Sequence, residues 1–502
     1  MKTFLKFPIF TLISGMLLFT ACSDDDDTLT DINAAPVSQN LNASVSEGKS
    51  LDITLVATDS DYDALTFSIV TPPALGTVVI TENIAKYTPN ENADGIDTFT
   101  YKANDGNTDS APSTVTVTVN GFFILNGTYT KNKILTADKI WNLKGRVFIA
   151  DGATLTIPAG TIIKADGGTG TDATFICIAR GGKIDSQGTA DKPIVMTSIA
   201  DDIKVGEKYG SNLTIDNRGL WGGLLILGKA PGSFKGDVSE YQIEGIPASE
   251  TKGLYGGSDT ADNSGTVKYL SIRHGGASIG ADNEINGLTL GGVGNGTTIS
   301  NVEVVANVDD GVEFFGGTVD ASNLLVWGQG DDGLDIDQSY AGKISNSIVI
   351  LTKASDHGLE IDGPEGSMKA SFTLENITII ATDESTSSYA DFRKGALGTV
   401  TKVYAYGFAK GSNFELDATA DSTNFSDGTL NFSSMEIVVP IDDSLAGGEI
   451  FDDKSDSPDA NFENAKNKDG VIFATNVTLG AQTVGATVSD FAWTFANNNS
   501  AF

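Results

Sequence analysis

Between Ile299 and Gly363 one carboxylate-rich phrase is written three times, as NVDDGVEFFGG, GQGDDGLDIDQ and ASDHGLEIDG, with Asp309, Asp331 and Asp356 spaced 22 and 25 residues apart. Two later stretches, YADFRKG and SNFELDA, carry the same alternation. If each is a strand, Val312/Phe314, Leu334/Ile336, Leu359/Ile361, Ala390/Phe392 and Phe414/Leu416 face an interior, because successive side chains point to opposite sides. One outward column then reads Glu313, Asp335, Glu360, Asp391, Glu415, and its neighbour reads Phe315, Asp337, Asp362, Arg393, Asp417. Strands stacked about 4.8 Å apart would set carboxylates where each pair repels by about 0.9 kcal/mol in water, or roughly 3.5 kcal/mol at an effective dielectric of 20. Such a column needs a bound cation, raised pKa values or a basic neighbour, and Arg393 is one such neighbour. Hard oxygen donors suit Ca²⁺, so Asp335, Asp337, Glu360 and Asp362 are candidate ligands. A solvated surface column and a catalytic face are the other two readings of the same residues.

The elements that must position these groups are legible around them. ISNVEVV, ASNLLVW and ISNSIVI precede the three acidic phrases, and Asn301, Asn323, Asn346 and Asn376 recur before apolar runs. Stacked asparagines can hydrogen-bond along a coil axis and satisfy tight turns. Short β-branched strands with Gly/Asp/Asn turns at a period in the twenties spell a stacked β-solenoid. From Gly121 onward, WNLKGRVFIADGATLTIPAGTIIKADGG, GKIDSQGTADKPIVMTS and RGLWGGLLILGKAP read as its first coils. Segments 201–217 and 233–264 read as loops projecting from the stack. The terminal SDFAWTFANNNSAF reads as a cap on the last coil, since an open stack is an aggregation template.

Composition bounds the rest. The chain has 502 residues, 57 glycines and a net charge of −34, with 66 acidic against 32 basic side chains. So acidic a surface repels nucleic acid and anionic lipid headgroups and attracts metal ions or basic partners. Two cysteines, Cys22 and Cys177, allow no disulfide framework, and Cys177 in TFICIAR reads as a small buried residue. Two histidines, His274 and His357, make no metal triad, and His274 reads as buried or turn-capping. Trp221, Trp327 and Trp493 read as core rather than as sugar platforms. The start MKTFLKFPIFTLISGMLLFTAC has a basic end, a short apolar run and small residues before Cys22, the pattern of a signal peptide (1–21) and not of a membrane span.

Four resemblances extend this reading. The leader's end resembles a bacterial lipobox, implying lipidation of Cys22. SDDDD after it, in the tether 22–35, resembles the acidic tag of Bacteroidetes-type lipoproteins exported to the outer face of the outer membrane. Residues 36–120, with APVSQNLNASVSEG, LVATDSDYDALTFSIVTPPALGTVVI and DTFTYKANDG, resemble the bacterial cadherin-like or immunoglobulin-like repeat, a small β-sandwich whose relatives often bind Ca²⁺ at acidic loops. Here those loops offer Glu47, Asp59, Asp61, Asp63, Asp97 and Asp105. The coils of 121–502 resemble bacterial surface proteins with right-handed parallel β-helices.

NVDDG, GDDG, DHG and FRK in that order resemble the motifs of polygalacturonase-type glycoside hydrolases. That resemblance implies catalysis by Asp309, Asp331 and Asp332, with Asn307 beside them and His357, Arg393 and Lys394 on substrate, by an inverting mechanism. The last motif lacks its spacer between Arg and Lys.

The expected fold is all-β, a sandwich followed by a right-handed parallel β-helix of roughly a dozen coils. The expected protein is a surface lipoprotein that binds divalent cations or glycans. A polysaccharide-degrading hydrolase or lyase and a structural scaffold are the alternatives.

Overall fold

The structure is a computed structural model that describes residues 33–502 except 47–48, 91–92, 94, 121–122, 280–284 and 383–386. The leader, Cys22 with its acidic tag, and Glu47 therefore lie outside the described residues. The chain divides into two compact units, 1–122 and 123–502.

The first unit is a two-sheet sandwich. One sheet orders Leu41–Ser46, Ser113–Asn120, Gly95–Asn104 and Thr66–Thr71, and the other orders Leu51–Thr54, Ile84–Pro89 and Gly76–Thr81. Alternation drives it: in Gly95–Asn104 the buried Phe99, Tyr101 and Ala103 take every second place, and Phe99 and Tyr101 join Tyr87, Val115 and Val117 in one core.

Among the described residues, the second unit is built on a parallel sheet of 25 strands wound into a three-sided helix. Long strands such as Thr298–Val305, Ala321–Trp327 and Lys343–Leu351 each supply two sides. Their bend is a residue in the left-handed region: Tyr269, Asn301, Asn323, Asn346, Asn376 and Lys402 all have φ between 49° and 57°. Asparagine tolerates that conformation better than most residues. The expected ladder is there: Asn323 Nδ2 donates to Asn301 Oδ1 at 3.0 Å, and Asn346 Nδ2 donates to Asn323 Oδ1 at 2.6 Å.

The third side is built of short strands in one column: Phe175–Ile178, Leu224–Leu227, Leu288–Gly291, Val312–Phe315, Leu334–Asp337, His357–Asp362, Ser388–Arg393, Phe414–Leu416 and Phe451–Asp453. The register pairs Glu313 with Asp335, Asp335 with Glu360, Glu360 with Asp391 and Asp391 with Glu415, as the alternation predicts. The inward partners join one continuous core running from Leu125 to Ala474.

Two expectations about the periphery are corrected. The segment 233–264 does not project. Phe234, Ile243, Ile246 and Tyr255 lie on Phe148, Cys177, Leu225, Leu227 and Phe315, the outward apolar residues of the early third side. The C-terminal segment does not cap the last coil either. Phe491 and Ala496 cover the outward Leu325, Ile348 and Ile350 of the second side, and Tyr209 Oη donates to the Trp493 carbonyl at 2.8 Å. The reason is visible in NLLVW and NSIVI, where consecutive apolar residues demand burial on both faces of the strand. The last coils are instead filled by a cluster of Phe425, Phe432, Phe451, Phe462 and Phe473.

Candidate functional site

The acidic phrases form the corner between the second and third sides and the strand that follows it. Glycine at this corner is a packing requirement. A Cβ on Gly311 would lie 2.2 Å from Val326 Cγ1, one on Gly333 2.3 Å from Val349 Cγ1, and one on Gly358 2.5 Å from Ile379 Cγ2. The preceding aspartates tie coil to coil. Asp310 Oδ1 accepts from the Asp332 backbone N–H at 3.0 Å, and Asp332 Oδ1 accepts from the His357 N–H at 2.7 Å. Asn307 Nδ2 donates to the carbonyls of Ile285 and Asp310 at 3.1 and 2.9 Å, so it holds the turn.

Past the glycine, carboxylates crowd. Oxygens of Asp310, Glu313 and Asp335 lie within 4.8 Å of one another, as do those of Asp309, Asp310 and Asp331. Asn286, one coil earlier, donates its Nδ2 to Glu313 Oε2. Asp335 is 9 % exposed and Asn286 4 %, yet Asp335 Oδ1 and Asn286 Oδ1 are buried without a hydrogen-bond donor. Buried polar oxygens in that state are expensive unless something else satisfies them.

The electrostatics follow. Burial, then mutual repulsion, pushes Asp310, Glu313 and Asp335 well above the ordinary carboxylate range. Although its side chain is exposed, desolvation by the surrounding protein raises Asp331 to about 6, with the charges of Asp332 and Asp356 adding to the effect. It raises Asp337 and Asp391 to about 7. The packed-down segment adds negative charge from Glu244 beside Glu313, and Glu365 does the same beside Asp337.

Further along the face the acids have protein partners. Arg393 stands over Asp362 in register and donates to it from Nε at 2.8 Å and Nη2 at 3.2 Å, and it also pairs with Glu360. Lys394 Nζ reaches Asp362 at 2.5 Å. Arg393 therefore serves as a counter-ion within the fold, and Asp362 has two cationic partners in Arg393 and Lys394. Asp337 Oδ1 accepts from the Gln338 N–H at 2.6 Å.

His357 Nδ1 lies 3.0 Å from Asp332 Oδ1, and the pair with Glu360 forms a third cluster. Burial lowers the imidazole pKa, but the hydrogen bond and charge of Asp332, with Asp356 and Asp391, outweigh it and leave the value raised. Asp332 is buried and engaged on both the His357 ring and backbone, whereas Asp331 is exposed and Asp309 half-buried.

Among the described residues of the sandwich, Asp59, Asp61 and Asp63 come together, their oxygens within 4.8 Å. Asp97 does not join them. Buried, it accepts from the N–H groups of Ala74, Leu75 and Thr98 and from Tyr87 Oη at 2.6 Å, which anchors the fold. Asp105 is engaged in its own turn by the N–H groups of Asn107 and Thr108.

His274 is buried, with Nδ1 2.8 Å from the Asn217 carbonyl. Sequence reasoning missed Asp310 and Asn286. Each immediately precedes a glycine of the packed column, which is the signal that could have found them.

No curated protein matches the chain. Two solved structures of an endo-fucoidan hydrolase from glycoside hydrolase family 107, one of them a substituted variant, overlap it locally. The variant matches at 23% identity and a TM-score of 0.16, over 18% of this chain and 14% of that one. The other matches at 15% identity and a TM-score of 0.17, over 25% and 19%. The chain thus covers less than a fifth of either hydrolase, and these overlaps carry no weight for fold or site. A bacterial Ig domain family matches residues 33–118. Residues 127–478 match the family described as a pectate-lyase-like beta helix domain. With well over half its length in that match, the chain belongs to the pectate-lyase-like beta helix family.

Proposed function

We propose that this is a cell-surface polysaccharide-binding protein, anchored through Cys22, whose third side loads a divalent cation of the calcium class and through it engages acidic glycan. The carrying observation is the group Asp310, Glu313 and Asp335 with two buried, donorless oxygens, Asp335 Oδ1 and Asn286 Oδ1. The donor set fits such an ion. It is all carboxylate oxygen, and one of those oxygens, Asp335 Oδ1, is buried with no donor. A bound cation would lower the raised carboxylate pKa values and leave coordination positions for sugar oxygens. The family's likeness to pectate lyases supports a polysaccharide as the partner.

Hydrolysis is the second reading. It draws support from Asp331, exposed and raised to about 6 beside half-buried Asp309, a condition suited to a general acid. Against it, Asp332 and Arg393 are held by the fold. The test is retention of the full chain on an acidic polysaccharide matrix with Ca²⁺ and with EDTA, alongside reducing-sugar release. The proposal expects retention that EDTA abolishes and no release of reducing ends. Sugar release by wild type that Asp331→Asn abolishes would replace it with the hydrolase.

A further inference from the structure

The corner that holds the cation group also carries a second kind of column. Strand Leu334–Asp337 pairs with His357–Asp362 through Leu334 and Leu359, which sets Asp332, two residues earlier, level with His357. His357 in turn pairs directly with Ser388. A carboxylate, an imidazole and a hydroxyl therefore stand in one line on three successive coils, with strands about 4.8 Å apart.

The imidazole is oriented from the carboxylate side. Asp332 is buried, and its Oδ1 lies 3.0 Å from His357 Nδ1 while also accepting from the His357 backbone N–H at 2.7 Å. A hydrogen bond to one ring nitrogen fixes which nitrogen carries the proton. With Nδ1–H donating to Asp332, the lone pair lies on Nε2. Nε2 has no hydrogen-bond partner among the described residues, and the His357 side chain is 19 % exposed. Ser388, half-buried on the next coil, donates from Oγ to Asn413 Oδ1 at 3.1 Å and accepts from the Asn413 N–H at 3.4 Å. Rotation of the hydroxyl exchanges the asparagine acceptor for the imidazole. The Asn413 N–H then stays beside the reacting oxygen, where a donor stabilises developing negative charge.

We propose that Ser388, His357 and Asp332 form a hydrolytic site for acyl esters, with Ser388 as nucleophile, His357 as general base and Asp332 as the residue that positions it. Ser388 Oγ adds to the ester carbonyl carbon as its proton passes to His357 Nε2. The carbon–oxygen bond to the alcohol breaks, and the leaving oxygen takes that proton. Water then adds to the acyl-serine and gives a proton to Nε2. Ser388 Oγ recovers that proton as the carboxylic acid leaves. That the ester is an acyl group on a sugar hydroxyl rests on the glycan-binding reading, whereas the three residues need neither glycan nor metal.

The test follows p-nitrophenyl acetate hydrolysis by the full chain in EDTA, and maps by peptide mass spectrometry the residue labelled by a serine-directed fluorophosphonate. The expected result is hydrolysis above the uncatalysed rate and a label on Ser388. Ser388→Ala and His357→Gln should each lower kcat/KM by about a hundredfold or more, the scale of a lost general base. Asp332→Asn should lower kcat and leave KM unchanged, a split that a merely structural role would not give. Wild-type hydrolysis in Ser388→Ala, a label on another residue, or a wild type with neither hydrolysis nor label would overturn the site. Acetate release from an O-acetylated acidic polysaccharide supports the sugar ester. Cleavage of the model ester without that release overturns the sugar assignment and leaves the three residues standing, so the two readings fail separately.

Discussion

Asp332 and Asp335 lie on one strand edge, three residues apart, and their surroundings divide the labour. Asp332 is satisfied by the coil above it through the His357 N–H and ring. Asp335 has a buried oxygen with no donor at all. The acidic columns were legible from alternation alone, as were Asp335 and its neighbours as ligand candidates. What alternation does not carry is burial from outside. Asp310 and Asn286 became part of the site because walls and neighbouring coils enclose them, and strand alternation does not report that; only their place before a packed glycine hints at it. The raised pKa values give a direct consequence. Unfolded aspartate titrates near 3.9, whereas Asp331 sits at about 6 and Asp337 and Asp391 at about 7 in the fold. A carboxylate raised by folding contributes stability that is present below its unfolded value and lost as pH climbs through its folded value. In EDTA the melting temperature should therefore fall between pH 5 and pH 8, and excess Ca²⁺ should restore it at pH 8. A melting temperature that holds steady or rises over that range in EDTA would contradict the raised values.

Among the elements, the DG step explains itself by packing. The glycine column lets a third-side strand start against the valine of the coil beyond, so the recurrence of Asp-Gly does not by itself announce catalysis. Gly333→Ala would drive a Cβ to 2.3 Å from Val349 Cγ1 and 2.6 Å from the Gly358 carbonyl. Overpacking of that kind costs about 1–3 kcal/mol or more. Chemical denaturation should show a loss of that size, and a variant as stable as wild type would remove the packing account of the motif. The bend column was read from the sequence as an asparagine ladder, and it is one, though the asparagines bend continuous strands rather than precede separate ones. The covered second side was missed. Its strands are apolar on both faces, and the residues that cover it come from more than 140 positions away, as in the Asn346–Thr487 contact. That is beyond the reach of any windowed pattern.

For the molecule as a whole, period and turn chemistry were enough to read a sandwich followed by a parallel β-helix, because each coil repeats the same local problem and solves it the same way. The periphery is not periodic, so the folded-back segment 233–264 and the C-terminal strap escaped. One crowds negative charge onto the strip, and the other covers the apolar second side. The central claim is that this enclosure turns a ladder of acids into a cation site. Calorimetric titration of Ca²⁺ into the metal-free full chain at pH 7.5 tests it most directly, with Asp335→Asn for the strip and Asp61→Asn for the sandwich cluster. The account predicts saturable binding that Asp335→Asn weakens by about tenfold or more and that survives at the strip in Asp61→Asn. Binding unchanged by Asp335→Asn, or no calcium heat in wild type, would contradict it.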